Sequence, residues 1–185
     1  MVDTSSWPTY PLGDLVKKVE IAQAAGKYTL IVDRQGNVAT FFSYKGKLID
    51  FHKEKMKVTM GSQSKEDALE NLRKAMVYAM KNGDNFCINT DAIVVDWKSE
   101  MCDDAIFNAQ KVFDMATWTD NDKEIWKPYV KDDENSGPGG LNPGHFICNS
   151  KFGLSICTSI KDEADLAKLM ECIPHVEKFE KFVIQ

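Results

Sequence analysis

Residues 28–45 read YTLIVDRQGNVATFFSYK, an apolar run that meets a tight polar turn and then continues as an amphipathic stretch. Tyr28, Thr29, Leu30, Ile31 and Val32 are mostly apolar and β-branched, the composition of a strand buried on both faces of a parallel sheet. Asp33, Arg34, Gln35, Gly36 and Asn37 make the turn, with Gly36 and Asn37 able to take a positive φ. From there Val38, Phe41, Phe42 and the stem of Lys45 recur at helical spacing, and Gly46 stands where a cap is expected. Strand, turn and helix in this order form the element that holds nucleotide phosphates at a helix amino terminus.

The chemistry of such a loop is missing. A working loop needs G-x-x-x-x-G-K-[ST], in which glycines let backbone N–H groups close around phosphate, Lys neutralises it and Ser/Thr holds magnesium. Here the turn has one glycine, no Lys follows it, and Asp33 at its mouth repels phosphate. Gly26-Lys27 and Gly46-Lys47 lack both the upstream glycine and the following Ser/Thr, and read as helix C-caps.

Upstream, Leu12, Leu15, Val16, Val19 and Ala22 form a helical stripe ended by Gly26. Downstream, residues 48–52 and 58–60 read as short strand-like pieces around a Lys-rich turn. Ser64 opens the clearest helix, over residues 65–82, with Asp67 as a capping-box partner and Gly83 at its end. FCINTD at residues 86–91 is a second buried strand whose polar carboxyl end faces the ligand crevice of an α/β sheet. Weaker helices follow over 103–117 and 122–130, then a polar Gly/Pro-rich loop over 131–144. Strands at 145–148 and 152–158, a helix at 163–172 and a strand at 181–184 complete the chain. The alternation predicts one domain over residues 1–185, an α/β fold of three layers (α/β/α) around a mainly parallel sheet of about five strands.

Composition agrees with a single globular domain: 185 residues, 43% apolar and 28% charged. A net charge of −5 without any basic stripe argues against nucleic acid as a partner. No apolar run approaches the ~18 residues of a membrane span, and MVDTSSWPTY lacks the basic flank and apolar core of a signal peptide. A cytoplasmic protein with no membrane partner is expected. The cysteines, Cys87, Cys102, Cys148, Cys157 and Cys172, are odd in number and irregular in spacing, which fits a reducing compartment with Cys87, Cys157 and Cys172 in the core.

The succession of a helix, IVDRQGNVATF, a long helix ending at Asn82-Gly83, FCINTD, a helical insert, FGLSICTS, a helix and a final strand resembles degenerate P-loop NTPase modules of the AAA type. It is similar to the late, inactive AAA modules of dynein heavy chains, where a strand and a D-P-Q-G-Q-A-like turn replace the Walker A loop. Similar sequences occur in ciliary and ankyrin/calmodulin-binding-motif proteins. The likeness runs over residues 28–184, and its specific part is the turn from Asp33 to Ala39. It implies that Asp33, Arg34, Gln35, Gly36 and Asn37 occupy the Walker A position, Asn89, Thr90 and Asp91 the end of the Walker B strand, and Thr158 and Ser159 the sensor position. It also implies a structural or adaptor role with axonemal or cytoskeletal protein partners, in the cytoplasm or a ciliary axoneme.

Each position can be held against its chemistry. Walker B needs one carboxylate for magnesium and a second to activate water, whereas Asn89-Thr90-Asp91 offers one. No catalytic residue, cofactor or metal is expected. Asp33 reads as a helix cap or turn former, and Asp91 as a turn residue. His145 and Cys148 have a metal-like spacing but no second ligand pair, and nothing marks which of His52, His145 or His175 would meet Cys148 or Cys157. Inert thiols are the better reading. The acidic loop opening at Asp132 resembles an EF-hand loop, but its twelfth position is Pro143, not the Glu calcium requires.

Trp97, Trp118, Trp126 and Tyr129, with Phe107 and Phe113, make the insert aromatic; most belong to a core, and an exposed subset would mark a partner surface. The reading is a non-catalytic module for protein–protein interaction. The alternative is a domain that binds nucleotide without efficient hydrolysis, through the positive helix end near Asn37. An enzyme of another chemistry finds no acid, base and nucleophile to support it.

Overall fold

The apolar run at residues 28–32 lies at the centre of the sheet. The computed structural model of the chain describes residues 4–185; residues 1–3, part of the stretch read for a targeting signal, lie outside the described residues. Six strands, β1 (Thr9–Tyr10), β2 (Thr29–Asp33), β3 (Lys47–Asp50), β4 (Asn85–Asp91), β5 (Gly153–Thr158) and β6 (Glu180–Ile184), pair in the order β1-β6-β2-β5-β4-β3. Every pairing is parallel. Parallel strands need crossovers, and the crossovers bury both faces, so β2 and β5 are buried at every residue.

Along β2 the side chains alternate between two cores, as a strand's period of two requires. Ile31 packs with Leu15 and Val19 of α1 (Leu15–Ala24) and with Val38 and Phe42 of α2 (Asn37–Lys45). Leu30 and Val32 turn to the larger core, which holds Leu69, Leu72 and Met76 of α4 (Lys65–Asn82) and Leu166 and Leu169 of α7 (Glu163–Cys172). Helices thus cover both faces of an all-parallel sheet, an α/β fold compatible with three layers. The long helix α4 begins where Ser64 accepts the Asp67 N–H at 3.0 Å and ends at Gly83, whose φ of 75° suits a residue without a side chain.

The sheet has one strand more than expected, because β1 is a two-residue segment too short to leave a pattern in the sequence. Residues 58–60 are not a strand but lie at the end of a helix, α3 (Phe51–Thr59) and the residue after it. Only Phe51 of α3 is buried, and Glu54 is held by Lys57, Gln63 and Asn71, so local polar contacts support this helix in place of an apolar stripe. Nor do residues 145–148 form a strand. The Phe146 N–H donates to Asn135 Oδ1 and the Cys148 N–H to Asn121 Oδ1, so side chains take the bonds that a ladder would have used. The helices expected over 103–117 and 122–130 shrink to α5 (Ala109–Val112), α6 (Met115–Trp118) and a single 3₁₀ turn at Lys127–Tyr129. Asp103 and Asp120 each accept two backbone N–H groups just downstream, a local bonding that competes with helix. Gly46 is fully extended rather than left-handed; its missing side chain matters because a Cβ there would stand 2.8 Å from the Asn85 carbonyl oxygen.

Among the cysteines, Cys87, Cys148 and Cys157 are buried, whereas Cys172 joins Cys102 at half burial, and all five are free thiols. Among the described residues, no helix is long and apolar enough to cross a membrane.

Candidate functional site

At the carboxyl end of the sheet, β2, β4, β5 and the residue after β5 deliver Asp33, Asn89, Asp91, Thr158 and Ser159 to the walls of one cavity of about 150 Å³, which Gly36 also lines. Arg34, Gln35 and Gly36 line a neighbouring hollow of about 450 Å³ with Asp91, Ser159 and Lys161. The residues read as Walker A, Walker B and sensor positions therefore line these two adjoining hollows, apart from Asn37 and Thr90. The Thr90 side chain is fully buried and donates to the Cys157 carbonyl at 3.2 Å. Asn37 donates to Gln35 Oε1 at 3.1 Å and stays at the loop surface.

Asp33 is the centre of the loop. It is 3% exposed, and both its oxygens are used: Oδ1 accepts the Gln35 N–H at 2.9 Å and Oδ2 the Val38 N–H at 2.6 Å. Gly36, at φ 79°, makes the left-handed step that lets the chain fold over the carboxylate and enter α2. A helix amino terminus presents unpaired N–H groups and partial positive charge, which is what an anion seeks. Here the chain supplies the anion itself. Arg34 is engaged too, donating to Glu163 at 3.1 Å and to Thr4 at 3.3 Å.

Asp91 is fixed as firmly. A register shift skips Thr90 between Asn89, opposite Cys157, and Asp91, opposite Thr158, and the Asp91 φ of 49° is unusual for a residue with a side chain. Its carbonyl accepts from the Ser159 N–H at 2.9 Å and from Thr158 Oγ1 at 2.8 Å, and its N–H donates to Asn89 Oδ1 at 3.0 Å. Ser159 Oγ donates to Asp91 Oδ1, while His52 Nδ1 stands 3.6 Å from Oδ2. This trio has the wrong order for nucleophilic catalysis, since a histidine must stand between serine and aspartate to remove the hydroxyl proton. The approach of His52 was not legible in the sequence, because it depends on α3 starting directly after β3.

The remaining candidates lie apart. His145 is exposed, His175 Nε2 meets the Gln110 carbonyl at 3.0 Å, and Cys148 is buried, its thiol pushed up to about 12 by burial. Cys87 and Cys157 place their sulfurs 3.4 Å apart on neighbouring strands, and burial also raises the Cys87 thiol, leaving it protonated and inert. Among the described residues, no three His, Cys, Asp or Glu side chains are grouped to hold a metal ion.

No family model, curated protein or solved structure matches the chain. What the crevice can do follows from its geometry, as does the fate of the aromatic insert. Trp97, Trp118, Trp126 and Tyr129, read as a partner surface if exposed, are all 0–2% exposed and belong to the core. Trp97 lies on Phe51 at 4.6 Å between ring centroids, Trp118 on Tyr129 at 5.2 Å and Trp126 on Phe146 at 5.0 Å. The acidic loop carries an anchor the sequence did not reveal. Glu134 reaches the buried Arg73 of α4, whose guanidinium also binds Glu70 and the Tyr129 carbonyl.

Proposed function

We propose that this chain is a degenerate P-loop module that neither binds nor hydrolyses nucleotide and acts as a structural or adaptor domain for protein partners in a microtubule-based or ciliary assembly. The observation that carries the first half is the Asp33 carboxylate, which takes the Gln35 and Val38 N–H groups that phosphate would need. A phosphate approaching this helix end meets a buried negative charge and finds those donors already bonded. The strand order supports the P-loop part: the strand before the loop lies between the last and penultimate strands, with the penultimate one separating it from the strand ending at Asp91. Turnover lacks both a phosphate clamp and the paired carboxylates of a magnesium site. The axonemal setting and the protein partners rest on the sequence resemblance.

A nucleotide-binding domain without hydrolysis is the second reading, favoured by the hollow of about 450 Å³ beside the loop. Asp91, Asp162 and Asp165 line that hollow against Lys161 and the engaged Arg34, so its charge opposes a polyphosphate. Thermal melting with and without millimolar ATP, ADP or GTP and magnesium separates the two, because a ligand that binds the native state raises the midpoint. No shift is expected. A rise of several degrees would replace the first reading with the second.

A further inference from the structure

A sheet that does not close has two edges, each a row of backbone N–H and C=O groups without a partner, and the two edges of this one are guarded unequally. The β1 edge is two residues long and stands between Pro8 and Pro11, which have no N–H to give an added strand. The β3 edge is four residues long, KLID, with no proline and no bulge. Packed against it are β4 at its side and α2 and α4 on its two faces, and each of its residues is half-buried. Among the described residues, no backbone bond joins Lys47, Leu48 or Ile49 to anything but β4. Alternate groups along β3 therefore point outward unpaired.

The two faces beside that edge differ in chemistry. Ile49 packs into the larger core with α4 and Leu48 into the smaller core with α2, so Lys47, two residues before Ile49, stands on the α4 face. There its ammonium lies 4.9 Å from the centre of the Tyr78 ring, and Lys74, one helical turn before Tyr78, has a side chain 61% exposed. Among the described residues no carboxylate pairs with Lys47, and Lys74 reaches only Glu70, at 3.8 Å. The α4 face is basic and aromatic. The α2 face offers Leu48, and the carboxylate of β3 itself, Asp50, is tied to Lys53 at 2.8 Å.

We propose, on the basis of the adaptor reading above, that the β3 edge is a strand-addition site for an extended segment of a partner protein whose side chains alternate between acidic and apolar. The backbone of that segment pairs with the open groups of β3, its acidic side chains fall on the α4 face beside Lys47 and Lys74, and its apolar ones fall beside Leu48. A second copy of this chain does not suit the edge. Two β3 strands paired antiparallel are related by a twofold axis normal to the sheet, which keeps each side chain on its own face and brings the lysines of both copies together.

The test is a titration of the ¹⁵N-labelled full chain with a short synthetic peptide alternating Glu and Val, with its Lys-Val counterpart, and with the Glu-Val peptide methylated on every backbone nitrogen, which keeps the side chains and removes the donors. The Glu-Val peptide should shift the amide signals of residues 47–49 saturably and slow the exchange of their outward amides, and the other two should bind at least about tenfold more weakly. Lys47→Glu should weaken the Glu-Val peptide about fivefold or more and leave the melting midpoint within about 4 °C, since it removes one cation–ring contact. If that variant melts lower, Lys74→Glu on the exposed side of α4 takes its place with the same expected weakening. No saturable shift at millimolar peptide, shifts centred on another element, equal binding of either control peptide, or unchanged binding by the lysine variants overturns the proposal. So does a dimer of the free chain in sedimentation whose contact protects residues 47–49. A failed titration removes this edge and not the adaptor reading, whereas a midpoint raised by nucleotide removes that reading without touching the edge.

Discussion

The strand-and-helix frame and the insert at residues 92–152 share one core but are held together differently. In the frame, six parallel strands and the 18 residues of α4 let the backbone satisfy itself, and side chains need only be apolar at the right period. In the insert the described α-helices are four residues each, and the order comes from side chains: stacked rings, aspartate turns, and one buried ion network that ties the loop at Glu134 to Arg73. The difference shows where each part is vulnerable. A frame residue shares its work with neighbours on the same strand, whereas the insert hangs on a few large contacts.

The most severe way to break that contrast is Trp97→Ala. Trp97 is fully buried and touches Phe51, Phe107 and Phe113, so its removal should cost about 3–5 kcal/mol in urea unfolding. A loss below about 1 kcal/mol would show that the insert does not depend on its rings.

Acid sharpens the contrast next. Hydrogen bonds from Arg73 hold Glu70 down to about 2; burial disfavours the charge of Glu134, but Arg73 outweighs it and lowers that group as well. Carboxylates lowered on folding lend stability that is complete above their unfolded value, 4.5, and is lost as pH falls through the folded one. Titration from pH 5 to about 2 should therefore loosen the insert before the frame, seen as near-ultraviolet dichroism fading ahead of far-ultraviolet dichroism. Simultaneous loss of both signals would refute a weaker insert.

The smallest effect is expected inside the frame. Asp33→Ala removes the acceptor for Gln35 and Val38 and should cost about 1–2 kcal/mol, with the far-ultraviolet spectrum retained. A cost as large as that of Trp97→Ala would mean that the frame, too, hangs on a single contact.

The same contrast governs what the sequence could reveal. The runs at 28–32, 86–91 and 152–158, the capped helix after Ser64 and the helix at 163–172 are visible because burial in regular structure leaves a periodic trace. The turn around Asp33 is visible because Asp and Gly serve turns for reasons local to the chain. The approach of His52 to Asp91, the grip of Glu134 on Arg73 and the complete burial of the three insert tryptophans are products of tertiary packing, with partners 39 to 61 positions away in the chain for the first two. Residues 145–148 keep the alternating burial of a strand but give their N–H groups to two asparagine side chains instead of a ladder, a competition that no local pattern announces.

Trp97, Trp118 and Trp126 lie in the insert with their indole N–H groups buried and unpartnered, and only Trp7 stands elsewhere. Intrinsic fluorescence of this protein is therefore, for the most part, a report from one region. Emission should be blue-shifted in the native state and move to the red when water reaches the indoles. Followed beside the helical signal, it gives an optical clock for whether insert and frame come apart in one step or two, with no label attached.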